Sequence, residues 1–166
     1  MTPEERARTI AYLDLAECRG SVPLLDDAGV RELLGSARRI AVIGASDRPG
    51  RASFDVFQHL RRVGFDCVPV NPKAAEVAGV GAYPTLADAV EATGRFDIVD
   101  VFRRPELCAE HAREAVAAGA RCLWLQLGIV DWESAKIAHD AGLDVVMDRC
   151  LSVEWRRLGR RGTEGA

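Results

Sequence analysis

Several features that commonly reveal a protein's class are missing from this chain of 166 residues. No apolar run approaches the ~18 residues that a membrane-spanning helix needs, so a membrane protein is not expected. Lysine and arginine together number 22 against 25 aspartates and glutamates, and the net charge of −3 gives no indication of a nucleic-acid-binding surface. Internal repeats and low-complexity segments are also missing, and the length predicts one main domain with a substantial core.

The cysteines are widely scattered, and their pattern argues against the usual cysteine-based frameworks. The five cysteines are Cys18, Cys67, Cys108, Cys122 and Cys150, an odd number without a CxxC pair. We therefore expect reduced thiols and no zinc site. The N-terminal sequence MTPEERARTIAYL has the pattern of a charged helix rather than of a signal peptide, so a cytoplasmic location is expected.

The most informative stretch that is present runs from Arg39 to Gly64 and predicts a strand, a loop and a helix in succession. Ile40 to Ile43 is a β-branched apolar run closed by Gly44, which is typical of a strand buried on both faces. Ser53 opens a helical pattern that Gly64 ends. The free N–H groups and the dipole of the first helical turn would face the glycine-containing loop, a geometry that binds phosphate.

The remainder of the chain alternates between apolar strands and amphipathic helices. Further strands are predicted over 65–70, 96–102, 121–127 and 143–147, with a short one over 79–83. One further helix is predicted to begin at 84, and three others are predicted over 106–118, 131–141 and 152–158. This alternation predicts a Rossmann-like, doubly wound α/β sheet of five to six mainly parallel strands with helices on both faces. The loops after the strands gather along one edge, where ligands bind at the point at which the strand order reverses.

Three parts of the chain are expected. Residues 1–26 form an N-terminal helical extension, residues 27–158 the Rossmann-like domain, and residues 159–166 a flexible tail. A capping-box pattern with Pro3 at the first helical position begins the first helix. Asp26 or Asp27 caps the second helix.

The type of nucleotide is suggested by two departures from an NAD-binding pattern. Ser46 stands where a dinucleotide fingerprint has its second glycine, and Gly50 lies one position late. The second strand ends in Val70-Asn71-Pro72-Lys73, with a cation where an NAD site has a carboxylate for the ribose hydroxyl. Because Lys73 would attract a phosphorylated ribose, the residues favour NADP or coenzyme A over NAD.

Six segments, in this order, resemble the small stand-alone CoA-binding proteins: VIGASDRPGRAS, PVNPK, YPTL, DIVDVFRRPE, GARCLWLQLGI and GLDVVMDRC. The single domain of that family is similar to the N-terminal CoA-binding domain of the succinyl-CoA synthetase α subunit. The resemblance covers roughly residues 27–158 and implies binding of coenzyme A. It does not extend to the ligase domain of the synthetase, so ligase chemistry is not expected.

The resemblance also implies which positions hold the ligand. Phosphates would lie on the first loop and the helix after it, the adenosine 3′-phosphate near the end of the second strand, and adenine or pantetheine against the segment after FDIVDV. By position these residues are Gly44, Ala45, Ser46, Arg51, Ser53, Val70, Asn71, Pro72, Lys73, Phe102 and Arg103.

Structural roles are the alternative for several polar residues. Ser53 is a competent helix cap whether or not phosphate binds, and a cap alone contributes ~1 kcal/mol. Asp100 lies inside an apolar strand, where a hydrogen-bonded structural carboxylate is favoured over a general base. Arg103 and Arg104 either compensate Asp97 and Asp100 or contact the ligand.

Catalytic residues are hard to find in this sequence. His59, His111 and His139 fall within predicted helices away from the carboxyl edge of the sheet, where we expect each to face solvent, and no Ser-His or Cys-His pair is found. Cys150 is the one thiol at that edge, beside Arg149, and a buried structural cysteine is the favoured interpretation. No metal cluster and no useful pair of carboxylates is found.

The sequence therefore predicts a cytoplasmic CoA-binding or acyl-CoA-binding module without turnover of its own. It would work as a carrier, a sensor or the partner of an acyl-CoA enzyme, and a homodimer is an open alternative. An NADP-dependent oxidoreductase is the second hypothesis. The third is a protein-interaction scaffold with a Rossmann-like fold and an unused crevice.

Overall fold

The computed structural model describes residues 1–159. The helices are α1 Pro3–Ala16, α2 Asp27–Ser36, α3 Ala52–Arg62, α4 Leu86–Thr93, α5 Pro105–Ala117, α6 Trp132–Asp140 and α7 Leu151–Glu154, and a π-helical turn, Trp155–Gly159, follows α7. The strands are β1 Arg39–Ile43, β2 Asp66–Val70, β3 Glu76–Val77, β4 Val80–Gly81, β5 Ile98–Val101, β6 Cys122–Leu125 and β7 Asp144–Val146.

Five of these strands form one parallel sheet in the order β2-β1-β5-β6-β7. The chain moves outward from β1 to β2 and then returns to place β5 on the other side of β1. The strand order therefore reverses between β1 and β5, and loops from both strands meet there at the carboxyl edge. The predicted Rossmann-like parallel sheet is confirmed.

Two apolar layers cover the two faces of the sheet. On one face, α4, α5 and α6 supply small side chains, among them Ala89, Ala112 and Ala138, which let these helices lie close to the strands. On the other face, α2 and α3 supply larger side chains such as Leu34 and Phe57. Both layers are formed by residues at helical spacing, so the apolar stripes predicted from the sequence are the surfaces that the helices bury.

The ends of some elements differ from the prediction. The short strand expected over 79–83 is part of an antiparallel hairpin of β3 and β4 outside the main sheet, although Tyr83 makes an isolated bridge to Val70. The final helical segment extends to Gly159, one residue into the predicted tail. Residues 160–166, which make up the remainder of that tail, lie outside the described residues.

The N-terminal helix α1 has no fully buried residue, but Ala11 and Leu15 are partly buried against the core, and polar contacts near the carboxyl edge also attach the helix. The Tyr12 hydroxyl donates to the carbonyl of Gly128, and Trp132 Nε1 donates to the carbonyl of Ala11 at 3.2 Å. The backbone of Gly20 lies against the Trp132 ring, where an added Cβ would come within 1.8 Å of a ring carbon. Within residues 1–159, no helix is long and apolar enough to cross a membrane.

Candidate ligand-binding crevice

A cavity of about 400 Å³ opens at the carboxyl edge above β1 and β5, at the reversal of strand order. We call it the loop cavity; it is lined by Gly44, Ser46, Arg48, Arg51, Ala52, Ser53 and Phe102. Gly44 has φ of +80°, and a Cβ there would lie 2.4 Å from the carbonyl oxygen of Phe102. Glycine is therefore required at this position because the segments after β1 and β5 approach each other so closely.

The start of α3 faces the loop cavity with free backbone donors. Side chains cap the helices α1, α2, α4 and α6, namely Thr2, Asp26, Thr85 and Asp131. In α3 the N-cap is Arg51, which makes no side-chain cap hydrogen bond, and the N–H groups of residues 52–54 have no acceptor within residues 1–159. Such donors, together with the positive end of the helix dipole, favour an anion.

Ser53 does not cap α3 as the sequence suggested. Arg51 occupies the N-cap position, and Ser53 lies in the first turn, where its Oγ accepts a hydrogen bond from the backbone N–H of Ser46 at 2.9 Å. The Ser46 side chain in turn accepts from the N–H of Arg48 at 3.1 Å. These bonds hold the loop against the helix, and they leave the guanidinium groups of Arg48 and Arg51 without a carboxylate partner among the described residues.

A second contact connects the loop cavity to the end of β2. Asn71 Nδ2 donates to the carbonyl of Ala45 at 2.8 Å, and Asn71 Oδ1 accepts from the backbone N–H of Lys73 at 2.8 Å. Asn71 thus holds the turn that carries Lys73 beside the loop after β1. Lys73 is exposed, and its side chain makes no ion pair in the part of the chain that the structure describes.

A larger cavity of about 490 Å³ adjoins the loop cavity and shares Ala52 and Phe102 with it. We call it the apolar cavity; it is lined by Ala52, Val56, Phe102, Arg103, Arg104, Pro105, Gln126, Leu127, Gly128, Ile129 and Cys150. The two cavities form one crevice along the carboxyl edge, polar above β1 and mainly apolar toward β6. This shape suits a ligand with a phosphorylated end and a long, uncharged arm.

A buried polar pair, Asp100 and Gln126, adjoins the apolar cavity, which only Gln126 of the two lines. Asp100 is fully buried on β5, and both of its carboxyl oxygens accept from Nε2 of Gln126 at 3.0 Å. Burial raises the pKa of Asp100 to about 8, although the hydrogen bond from Gln126 opposes that change. At neutral pH Asp100 is therefore mainly an uncharged acid, consistent with the predicted structural role.

The predicted site residues fall into two groups. Gly44, Ser46, Arg51, Ser53, Phe102 and Arg103 line the crevice. Ala45, Val70, Asn71, Pro72 and Lys73 do not line either cavity: Ala45 and Val70 are buried, and Asn71 acts through its contacts with the loop. The structure adds residues after β6 and β7, chiefly Gln126, Leu127, Gly128 and Cys150. The sequence could have indicated these residues by their position at the ends of predicted strands.

The expectation that Arg103 and Arg104 compensate Asp97 and Asp100 is wrong, and the hydrogen-bond partner of Asp100 is Gln126. Asp97 accepts from the backbone N–H groups of Arg38 and Arg39 at 2.8 and 3.0 Å and pairs with Arg121, so it does not use Arg103 or Arg104. The Arg104 side chain lies 3.8 Å from Glu106 instead. Arg103 has no carboxylate partner within residues 1–159 and remains available at the crevice.

The histidines are less exposed than the sequence suggested. His59 is half-buried with Nδ1 2.9 Å from Ser152 Oγ, and His111 is half-buried beside Glu114, whereas His139 is exposed. Burial is the main cause that lowers the pKa of both His59 and His111. The His59–Ser152 pair was not predicted, but neither residue lines the crevice. No cluster of three or more potential metal ligands occurs among the described residues.

Comparison with known proteins identifies the family. Residues 38–156 match the model of a family described as CoA binding domain (CoA_binding_2). The uncharacterized protein YneT of Bacillus subtilis (strain 168) is 39% identical over 126 residues, which make up 76% of this chain and 91% of YneT. The match to the family model begins after α1 and α2, so these two helices lie outside the matched residues.

Solved structures of similar proteins share this fold. A hypothetical protein from Pyrococcus horikoshii OT3 has a TM-score of 0.76 and 36% identity, covering 81% of this chain and 92% of its own. Cell-free ID.343 from Thermus thermophilus has a TM-score of 0.75 and 39% identity, covering 81% of this chain and 99% of its own. The predicted resemblance to stand-alone CoA-binding proteins is confirmed: the chain belongs to the family of CoA binding domains.

Proposed function

We propose that this protein binds coenzyme A in the crevice at the carboxyl edge of the sheet, without a reaction of its own that turns the ligand over. The pyrophosphate lies in the loop cavity and the pantetheine arm in the apolar cavity. The observation that carries this proposal is the uncapped start of α3, which faces a cavity also lined by Arg48 and Arg51. Free N–H donors and two guanidinium groups together match a doubly charged pyrophosphate.

The shape and chemistry of the neighbouring cavity support coenzyme A over a smaller nucleotide. A pantetheine arm carries no charge, and the apolar cavity is lined largely by side chains without charge, such as Val56, Leu127 and Ile129. Leu127 is 68% exposed, so the cavity is open at this end and an acyl group on the thiol would reach solvent. The ligand of the proposal is therefore coenzyme A or an acyl-CoA.

Lys73 is the residue proposed to contact the 3′-phosphate of the ribose. Asn71 fixes the turn that carries it beside the loop cavity, and the ammonium group is free of ion pairs with the described residues. A charge-assisted hydrogen bond contributes about 1.5–3 kcal/mol, so its loss weakens binding roughly tenfold to hundredfold. Dephospho-CoA lacks the 3′-phosphate and should bind as weakly as coenzyme A binds to a protein without this lysine.

The test is a calorimetric titration of Lys73→Glu and of a matched control, Lys136→Glu. Lys136 is the other lysine of the chain and lies on α6, where it pairs with Asp140 at 2.7 Å. We expect Lys73→Glu to weaken the binding of coenzyme A at least tenfold and to leave the binding of dephospho-CoA nearly unchanged. We expect Lys136→Glu to change the binding of neither ligand. Equal losses in the two variants would reject the role of Lys73. Failure of the unmodified protein to bind coenzyme A would reject the function.

A further inference from the structure

The loop after β6 forms a continuous part of the wall of the apolar cavity. Residues 126–129 all line the cavity, and a hydrogen bond from the N–H of Ile129 to the carbonyl of Gln126 at 2.9 Å closes the turn. Gln126 is buried and Ile129 packs against the core, so the two ends of the loop are anchored. Leu127 is 68% exposed and Gly128 is also exposed, so the middle of the loop depends on contacts from outside it.

Both backbone polar groups of Gly128 are bound by side chains from elements that are distant in sequence. Its N–H donates to Oδ1 of Asp148, just after β7, at 2.7 Å, and its carbonyl accepts from the hydroxyl of Tyr12 on α1. Burial raises the pKa of Tyr12, and the charge of Asp148 raises it further, so the hydroxyl keeps its proton and remains a donor. The middle of the loop is therefore held by the end of β7 and by α1.

The second segment of the wall, after β7, is held by α2. Arg149 precedes Cys150, which lines the apolar cavity, and Arg149 Nη2 lies 2.8 Å from Asp27, the first residue of α2. Arg149 also pairs with Glu154 at 2.8 Å, and Arg157 pairs with Asp27 at 2.7 Å. The hydrogen bond from Arg157, reinforced by that from Arg149, lowers the pKa of Asp27 to about 2. Asp27 is consequently a carboxylate at neutral pH and holds this segment by charge.

The helices α1 and α2 act on the crevice from outside. Among residues 1–159, those that line its two cavities belong to α3, to the start of α5 and to the loops, and none belongs to α1 or α2. Tyr12 and Asp27 contact the segments after β6 and β7, which wall the apolar cavity, whereas the loop cavity is formed mainly by the loop after β1. Both helices also lie outside residues 38–156, which match the family model.

We infer that Tyr12 and Asp27 are positioning residues for the half of the site that holds the pantetheine arm, an inference that rests on the proposed function. Tyr12 acts through Gly128 and Asp27 acts through Arg149, and together they fix the two wall segments between which the arm lies. Neither residue touches the ligand. Their contribution is to the affinity for the arm and not to that for the nucleotide.

The attachment of α1 and the binding of the arm are coupled in both directions. The helix has no fully buried residue, so its attached state is held by few contacts and its population changes when one of them is lost. The affinity for a ligand falls in proportion to the fraction of protein in the binding-competent state. By linkage, a ligand that binds between the positioned walls must stabilise the attached helix by the same factor.

Calorimetric titration with two ligands tests the role of Tyr12. The ligands are coenzyme A and adenosine 3′-phosphate 5′-diphosphate, which is coenzyme A without the pantetheine arm. Tyr12→Phe removes only the hydroxyl, and we expect it to weaken the binding of coenzyme A by about twofold to tenfold, the effect of one net hydrogen bond. The binding of the nucleotide without the arm should stay unchanged. Thr9→Val is the matched control, since the Thr9 hydroxyl donates to the Glu5 carbonyl of the same helix at 2.9 Å, and it should change neither affinity.

Asp27→Asn tests the second contact in the same titrations. The variant keeps the shape of the side chain and removes its charge, so we expect the same selective loss of affinity for coenzyme A. Amide hydrogen exchange gives the reciprocal measurement. Coenzyme A should slow exchange in α1 of the unmodified protein by about twofold to tenfold, and the nucleotide without the arm should not.

The outcomes separate this inference from the proposed function. If coenzyme A binds the unmodified protein but a variant keeps its full affinity, or loses affinity equally for both ligands, the positioning role of that residue is overturned and the proposed function stands. Exchange in α1 that does not respond to coenzyme A also overturns the role of Tyr12. If coenzyme A does not bind the unmodified protein at all, the proposed function and the inference both fail.

Discussion

The buried carboxyl of Asp100 makes a quantitative prediction about stability and pH. In the unfolded chain its pKa is about 4, whereas in the folded protein burial raises the pKa to about 8. Between these values the folded protein holds one proton more than the unfolded chain. The contribution of Asp100 is therefore fully present below about pH 4 and is lost as the pH rises through about 8.

The magnitude follows from linkage. One proton corresponds to about 1.4 kcal/mol per pH unit, so across the whole window the loss is on the order of 5 kcal/mol. Asp100→Asn removes the titration and keeps the shape, and the new side-chain amide can pair with that of Gln126 after a rotation of the Gln126 amide. We expect the free energy of unfolding of the variant, relative to the unmodified protein, to rise by about 1 kcal/mol per pH unit between pH 5 and 8.

Urea denaturation at pH 5, 6, 7 and 8 measures this difference. Asp97→Asn is the matched control, because Asp97 also belongs to the β5 region. Burial would raise the pKa of Asp97, but hydrogen bonds from the N–H groups of Arg38 and Arg39, together with the charge of Arg121, outweigh it and lower the pKa. Its titration is complete below pH 5, so its difference from the unmodified protein should be constant over this range. A constant difference for Asp100→Asn as well would refute the assignment of Asp100 as a buried, uncharged acid.

Two further predictions concern the loops around the crevice. Gly44→Ala should lower the free energy of unfolding by about 2 kcal/mol or more, because a residue at positive φ costs about 1–2 kcal/mol and the new Cβ would meet the Phe102 carbonyl at 2.4 Å. Gly50→Ala should cost only the backbone strain, since nothing lies within 4 Å of its Cβ; equal losses in urea denaturation would contradict the close approach. Tyr12→Phe removes the bond to the Gly128 carbonyl and should speed amide hydrogen exchange in α1; unchanged exchange would show that this bond does not hold the helix.

The fold was predictable because each strand of the main sheet is an apolar run and each helix has its own start or stop signal. Gly44 ends the first strand, Pro105 starts α5 and Gly142 follows α6, as local rules require. The hairpin of β3 and β4 was not predicted correctly because its strands are two residues long and carry too little pattern to indicate a period.

The site was only partly predictable because much of it depends on contacts between distant residues. The loop after β1 is continuous in sequence, so Ser46, Arg51 and Ser53 could be named together. The Asp100–Gln126 bond instead depends on the register of β5 against β6. The start of α3 was also not predictable from the sequence. Ser53 has a side chain typical of a helix cap, but the loop places Arg51 at the N-cap position, and Ser53 Oγ accepts from the N–H of Ser46 instead.

The apolar cavity illustrates this limit most clearly. Val56 on α3, Leu127 after β6 and Cys150 after β7 come together only when the parallel sheet is assembled. Strand ends indicated that Leu127 and Cys150 lie at the same edge, but not that they enclose a cavity with Val56. The bond from Trp124 to the Arg149 carbonyl, which draws that last segment inward, has no local sequence signal.

The most direct test of the account is a calorimetric titration of the purified protein with coenzyme A, dephospho-CoA and NADPH under one set of conditions. We predict saturable binding of coenzyme A to one site per chain, at least tenfold weaker binding of dephospho-CoA, and weaker binding of NADPH, which lacks the pantetheine arm that the apolar cavity would hold. A preference for NADPH would contradict the account and support an oxidoreductase, and the absence of binding by all three ligands would contradict a nucleotide site in the crevice.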